Sequence, residues 1–232
     1  MTIAADISRK AGDCFRLLAV FFCEPEKQVW IEEDLCSRLD ALLTELGLAA
    51  AHEAKLMGNA LRGISDEQLQ VDYAALFVGP FELIAPPYGS VYLDGARKIM
   101  GDSTLQVRRL YRENGLELEV SELPDHIAIE LEFLYFLCLL ETEAIVAGDA
   151  GEQLRADAVR REFLHRFLAP WTRAFCRAIT QGTDNAFYGS LARCLEGFIE
   201  EMRERAGRDE MARAGVAGGL VSPQSTQDQQ GT

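Results

Sequence analysis

Glu122-Leu-Pro-Asp-His-Ile-Ala-Ile-Glu-Leu-Glu-Phe-Leu134 opens on a proline, passes through an Asp-His pair and becomes strongly apolar. Proline suits the first position of a helix, where no backbone N–H is needed, and Asp125 there complements the positive end of the helix dipole. The apolar run continues to about Gly148, a residue type that ends helices. The spacing therefore predicts one long, very apolar helix from Pro124 to about Gly148.

Outward from this helix, nearly every segment repeats its apolar residues every three to four positions. Ile7, Ala11, Cys14, Phe15, Leu18, Phe21 and Phe22 mark a first helix, stopped near Pro25. Leu35–Leu46 and Ala49–Leu61 give two more. Ser65, with Glu67 and Gln68 behind it, caps a fourth through Leu69, Tyr73, Leu76 and Phe77, ending at Gly79-Pro80. Pro80 to about Gly101 reads as one long irregular segment, of a length that is often functional. Asp102 is expected to cap a helix that ends at Asn114-Gly115, and 116–123 reads as an acidic connector. After the central helix come Glu152–Phe167, then Pro170–Ile179 beyond a break at Pro170, then a last helix capped by Asp184 and reaching about Arg205. The fold class is all-α: a helical bundle of about eight to ten helices, with an N-terminal part over about 1–115 and a C-terminal part over about 124–206. Residues 207–232 are rich in Gly, Ala, Gln and Ser and read as a disordered tail.

The chain of 232 residues is 48% apolar, enough for a sizeable core. It has no run of about 18 apolar residues, so no membrane span is expected. Met1–Lys10 lacks the pattern of a secretory signal, which points to the cytoplasm. Six dispersed cysteines, Cys14, Cys23, Cys36, Cys138, Cys176 and Cys194, with no CxxC pair, read as buried free thiols. The net charge of −14 argues against nucleic acid and favours a basic partner. Eleven carboxylates and no Lys or Arg lie between Arg112 and Arg155. That interval is either a solvated acidic face or the field around a binding groove.

Asp125 and His126 admit two readings. Asp125 caps the helix and His126 is a satisfied polar group, or His126 and Glu130, four residues apart on one face, form an acid/base pair. Three histidines without HxxxH leave too few ligands for a metal. No phosphate loop, GxGxxG or GxSxG is present. Around Pro86-Pro87-Tyr88, a loop stiffened by two prolines sits among Tyr73, Phe77, Phe81, Tyr88 and Tyr92, an arrangement suited to peptide recognition. Arg160-Arg161-Glu162-Phe163-Leu164 imitates a twin-arginine export signal, but it lies within an amphipathic helix and reads as surface arginines beside core Phe163 and Leu164.

Tyr73-Ala-Ala-Leu-Phe-Val-Gly-Pro80, then Ala85-Pro-Pro-Tyr-Gly-Ser-Val-Tyr92, then the 122–134 block resemble, in this order, the signature of the TorD/DmsD family of redox-enzyme maturation chaperones. His165, Pro170-Trp171, Phe175 and Phe187-Tyr188 are similar to its C-terminal pattern, so the resemblance covers about residues 5–205. It implies an all-helical fold with a hinge. It also implies a non-catalytic cytoplasmic chaperone that binds the twin-arginine leader of a molybdopterin-dependent oxidoreductase until its cofactor is inserted. Weak guanine-nucleotide binding, and a monomer or domain-swapped dimer, are further implications. Carried over by position, the leader site would use Tyr73, Leu76, Phe77, Pro86, Pro87, Tyr88, Ser90, Glu122, Asp125 and His126. Asp125 and Glu122 would meet the arginines; Phe77, Pro86 and Tyr88 would meet the apolar segment. The alternatives are a NarJ-type assembly chaperone for a non-exported molybdoenzyme, or a hydrolase or nucleotide-binding enzyme using His126 and Glu130.

Overall fold

The structure is a computed structural model that describes residues 2–79, 83–95, 99–119 and 122–218. Its elements, in chain order, are α1 (Ile3–Phe21), α2 (Lys27–Glu32), α3 (Leu35–Glu45), α4 (Ala51–Gly63), α5 (Asp66–Tyr73), a π-helical turn (Ala74–Val78) and α6 (Gly89–Leu93). They continue with α7 (Asp102–Glu113), α8 (Ile127–Ala147), α9 (Ala150–Phe163), a second π-helical turn (Leu164–Leu168), α10 (Ala169–Gly182) and α11 (Ala186–Gly218). The all-α expectation holds. Phe81 and the tail beyond Gly218 lie outside the described residues.

Helix α8 is the centre of the bundle. It begins at Ile127, three residues after Pro124, and its cap is His126, whose Nδ1 accepts the Ala128 N–H at 3.2 Å. Asp125 is therefore not the cap. The helix ends at Gly148 in a left-handed conformation (φ 74°), and Asp149 then accepts the Glu152 N–H to start α9. Apolar nearly all round, α8 is covered on several sides, chiefly by antiparallel α1 and by α9. Gly12 permits the close approach of α1, since a Cβ there would lie 2.9 Å from Cys138 Cβ.

The core is one continuous cluster from Ala11 to Met202, fed by both the N- and C-terminal parts. Rings of Phe22, Phe77, Phe175 and Tyr188 meet inside it at centroid separations of 5.5–6.1 Å. Five cysteines are buried free thiols, whereas Cys23 is exposed. Ile7 is also exposed, at 48%, although Ala5 and Ser8 beside it are buried, because the bundle covers only one side of the first turns of α1.

Several helix ends differ from the sequence reading. Helix α7 takes its cap from outside: Asp94 accepts from the Ser103 N–H and Oγ–H. Helix α11 is capped by Asn185, which accepts the Phe187 N–H, and runs on to Gly218, past the boundary expected near residue 206. No break occurs at Pro170, which sits in the first turn of α10; a π-helical turn at 164–168 joins α9 to α10, so 150–182 is one continuous helical run. Short α2 and α6 carry too few turns for a period to show.

Replacing Gly12 with Val is expected to destabilise the fold by about 1–3 kcal/mol through overpacking against Cys138. Thermal unfolding followed by circular dichroism checks this, and an unchanged melting temperature would disprove the close contact.

Candidate peptide-binding site

A loop can be buried only if its backbone donors are satisfied. The segment before α6 meets that condition in two ways. Pro86 and Pro87 have no N–H to satisfy. The donors that follow are taken up by the start of α8: Gly89 N–H donates to the Asp125 carbonyl at 2.9 Å and Ser90 N–H to Asp125 Oδ2 at 2.8 Å. In return, Ile127 N–H donates to the Pro87 carbonyl at 2.8 Å. The 86–90 strap is thus tied across the N-terminus of α8, with Tyr88 and His126 as an antiparallel bridge. Tyr111 holds the far side, donating its hydroxyl to the Pro124 carbonyl at 2.8 Å.

Beneath the strap lies Glu130, 1% exposed, accepting from Trp171 Nε1–H at 3.2 Å. Burial, reinforced by the Asp125 charge, pushes the Glu130 carboxyl well above the usual carboxylate range. Gly89 leaves room for this pair, since a Cβ there would sit 3.0 Å from Trp171 Nε1. Tyr92 stacks on the same indole, with centroids 5.5 Å apart.

The expected site residues separate into two groups. Leu76 and Phe77 are core, Pro86 and Pro87 are buried, and Ser90 and Asp125 are completely buried. None of these six presents a surface to a ligand. Asp125 in particular is engaged by the strap, so it is a positioning residue and not an arginine contact. Its Oδ1 and the Ser90 hydroxyl have no hydrogen-bond partner among the described residues. His126 is mostly buried, its ring 5.3 Å from that of Tyr88. His126 and Glu130 each bond elsewhere, so the acid/base pair does not form. Among the described residues no group of three or more His, Cys, Asp or Glu could hold a metal ion.

The accessible remainder forms a face. Tyr73 and Tyr88 are half-buried, and Tyr88 donates its hydroxyl to exposed Glu122 at 3.1 Å. Burial pushes the Tyr73 hydroxyl up to about 12, helped by the nearby Cys23, Glu24 and Glu122. Cys23 is exposed as a residue, but its sulfur turns back onto the Ala19 carbonyl, and this partial desolvation, with the charges of Glu132 and Glu122, raises the thiol. Glu24 and Glu122 therefore lie near Tyr73, Glu122 also holds Tyr88, and Glu132 lies towards Cys23; among the described residues none of the three has an ion-pair partner. Glu24 and Glu132 were not expected. Glu132 has no local signal, since six residues beyond His126 put it about 120° round α8 from that residue. Glu24 has none either, because only antiparallel packing of α1 on α8 brings it there.

The profile of the nitrate reductase delta subunit family matches residues 32–177. A TorD chaperone of Vibrio cholerae is 30% identical over 156 residues, covering 64% of this chain and 69% of the relative. The chain belongs to the TorD/DmsD family. A Tat proofreading chaperone DmsD of Salmonella paratyphi A is 34% identical over 134 residues, 56% of this chain and 59% of the relative, so the chain spans less than two thirds of that protein. A solved structure from Archaeoglobus fulgidus, assigned as a redox enzyme maturation protein, superposes with a TM-score of 0.52 at 25% identity, covering 82% of this chain and 93% of that one. These relatives carry the names of chaperones and maturation proteins, not of enzymes.

Two outcomes follow from the strap. Asp125→Asn retains an acceptor for the Ser90 N–H and is expected to melt near wild type, whereas Asp125→Ala strands that buried donor and loses about 1–3 kcal/mol. Equal melting of the two variants would remove the strap role. Burial holds the His126 imidazole below its ordinary 6.5, and its Nδ1 must stay unprotonated to accept from Ala128. Its contribution is therefore complete above about pH 6.5 and lost as pH falls through the lower folded value. Glu130, raised from 4.5, acts in the opposite sense, losing stability as pH rises. The difference between wild type and His126→Asn, which keeps a cap, isolates the histidine: the stability advantage of wild type should shrink on acidification below about pH 6.5. A constant difference across that range would refute this assignment.

Proposed function

We propose that the protein is a cytoplasmic maturation chaperone that holds the twin-arginine leader of a molybdopterin-dependent oxidoreductase on the Tyr73–Tyr88 face until the cofactor is inserted. The observation that carries this reading is the pair Glu24 and Glu122 beside two half-buried tyrosines, with Glu122 bonded to Tyr88. Guanidinium groups pair with carboxylates through paired N–H donors and stack on aromatic rings, so this face suits adjacent arginines. The names of the DmsD and TorD relatives agree with it. No helix among the described residues is long and apolar enough to cross a membrane. The strap and buried Asp125 hold Tyr88 in place without touching the peptide.

Calorimetric titration with a synthetic leader peptide carrying two adjacent arginines tests the proposal. Binding is expected to weaken as salt rises, because such attraction is screened over about 8 Å at physiological ionic strength. Glu122→Gln should weaken it by about two- to fivefold, as expected for a partly exposed ion pair. Binding that is insensitive to salt, and unchanged when both arginines become Gln, would instead favour a client without a twin-arginine leader.

A further inference from the structure

Helix α1 carries a second charged stripe, opposite in sign to the acidic face. Arg9, Asp13, Arg16 and Val20 recur at three- and four-residue steps, so they share one side of α1. Leu35, Arg38 and Leu42 share one side of α3 in the same way. Between the two helices lies an open groove of about 500 Å³. Its floor is apolar: Leu17 and Leu35 are buried, and Val20 and Leu42 are half-buried. Its banks hold three guanidinium groups and one carboxylate, in a chain whose net charge is −14.

The carboxylates beside this groove are already engaged. Arg9 donates to Asp6 and to Asp13, each at 3.0 Å. Lys10 pairs with Asp6 and, at 2.9 Å, with Glu45. Arg16 and Arg38 are left. Both are exposed, and neither has a carboxylate partner among the described residues; Arg16 lies over the Tyr135 ring at 5.3 Å. Two guanidinium groups left open in a chain with 37 acidic residues suit a carboxylate supplied from outside. The shape of the groove says what carries it. Two adjacent helices with an apolar floor between them seat a third helix through side chains at i, i+4 and i+7. From Arg9 to Val20, α1 rises by about 16 Å, three turns, which sets the length of such a partner.

We infer that this groove docks an acidic amphipathic helix of a protein partner, with apolar side chains over the floor and carboxylates on Arg16 and Arg38. The site is separate from the Tyr73–Tyr88 face and takes the opposite charge. One chain thereby holds a basic segment and an acidic one at once.

Fluorescence anisotropy with the full chain and three labelled peptides tests it. The first peptide is about twelve residues long, with Leu at i, i+4 and i+7 and Glu beside them, enough to span the groove as a helix. The second has Gln for each Glu, and the third has Ser for each Leu. Wild type should bind the first about tenfold more tightly than either of the others, and its advantage over the second should shrink as salt rises. Arg38→Glu removes one ion pair and adds one repulsion, and should weaken the first peptide about tenfold. Ala41→Glu, at an exposed position in the groove, should weaken it too. Lys55→Glu makes the same change in net charge as Arg38→Glu on α4, outside the groove, and should alter binding by less than about twofold. The two-arginine leader peptide should bind Arg38→Glu about as it binds wild type. Equal weakening by Arg38→Glu and Lys55→Glu would reduce the attraction to overall charge and overturn the inference. So would equal affinity of wild type for the first peptide and for either of the other two. Each of these failures would leave the basic-face reading standing.

Discussion

A carboxylate buried without donors costs several kcal/mol, and Asp125 is completely buried. Its solution is to draw the 86–90 strap onto the start of α8, where Ser90 and Gly89 supply N–H groups and Ile127 returns one to Pro87. Most of the site follows from that exchange. Tyr88 is fixed against His126, its hydroxyl is brought to Glu122, and Gly89 is pressed close to Trp171. The two prolines ease burial of the strap by removing two donors that would otherwise need partners.

The second constraint is the closeness of α1 and α8, which Gly12 permits. Because the two helices run antiparallel, the end of α1 lies beside the start of α8, and Glu24 joins Glu122 beside Tyr73. At the other end of the same pair the charges are internally matched. Ser8 donates to Glu141, Arg160 pairs with Glu141 and Asp157, and Arg161 pairs with Asp157. Arg160 and Arg161 are only 12% and 18% exposed and structural, so their likeness to an export signal has no functional meaning, and they are less superficial than their sequence suggested. Acidic charge is therefore compensated at one end of the bundle and left open at the other.

This division suits a protein that grips a basic segment without chemistry. The titratable groups beneath the strap are disposed to stay neutral: burial raises Glu130 and lowers His126. What faces outward is carboxylate, phenol and apolar side chain on a helix held from several sides. Such a surface offers rigid anchors at little cost in side-chain ordering, which is where peptide affinity is gained.

The sequence by itself determined the helical class, the length and apolar character of α8, the Ser65 cap and the prominence of the 86–92 and 122–126 segments, because periodicity, proline and cap chemistry are local properties. It also singled out Tyr73, Tyr88 and Glu122, which the fold brings together at the surface. It did not show which neighbours of those residues face inward. Asp125 reads as a cap or a ligand in one dimension; only the strap, 35 residues away in the chain, makes it a buried tie. Phe77 reads as an anchor beside Tyr73, and only its contacts with Phe22, Phe175 and Tyr188 make it core. The place of Glu24 depends on how α1 lies against α8. Spacing within one helix is fixed by its own geometry, but which of its faces meets solvent is decided by the elements that pack upon it.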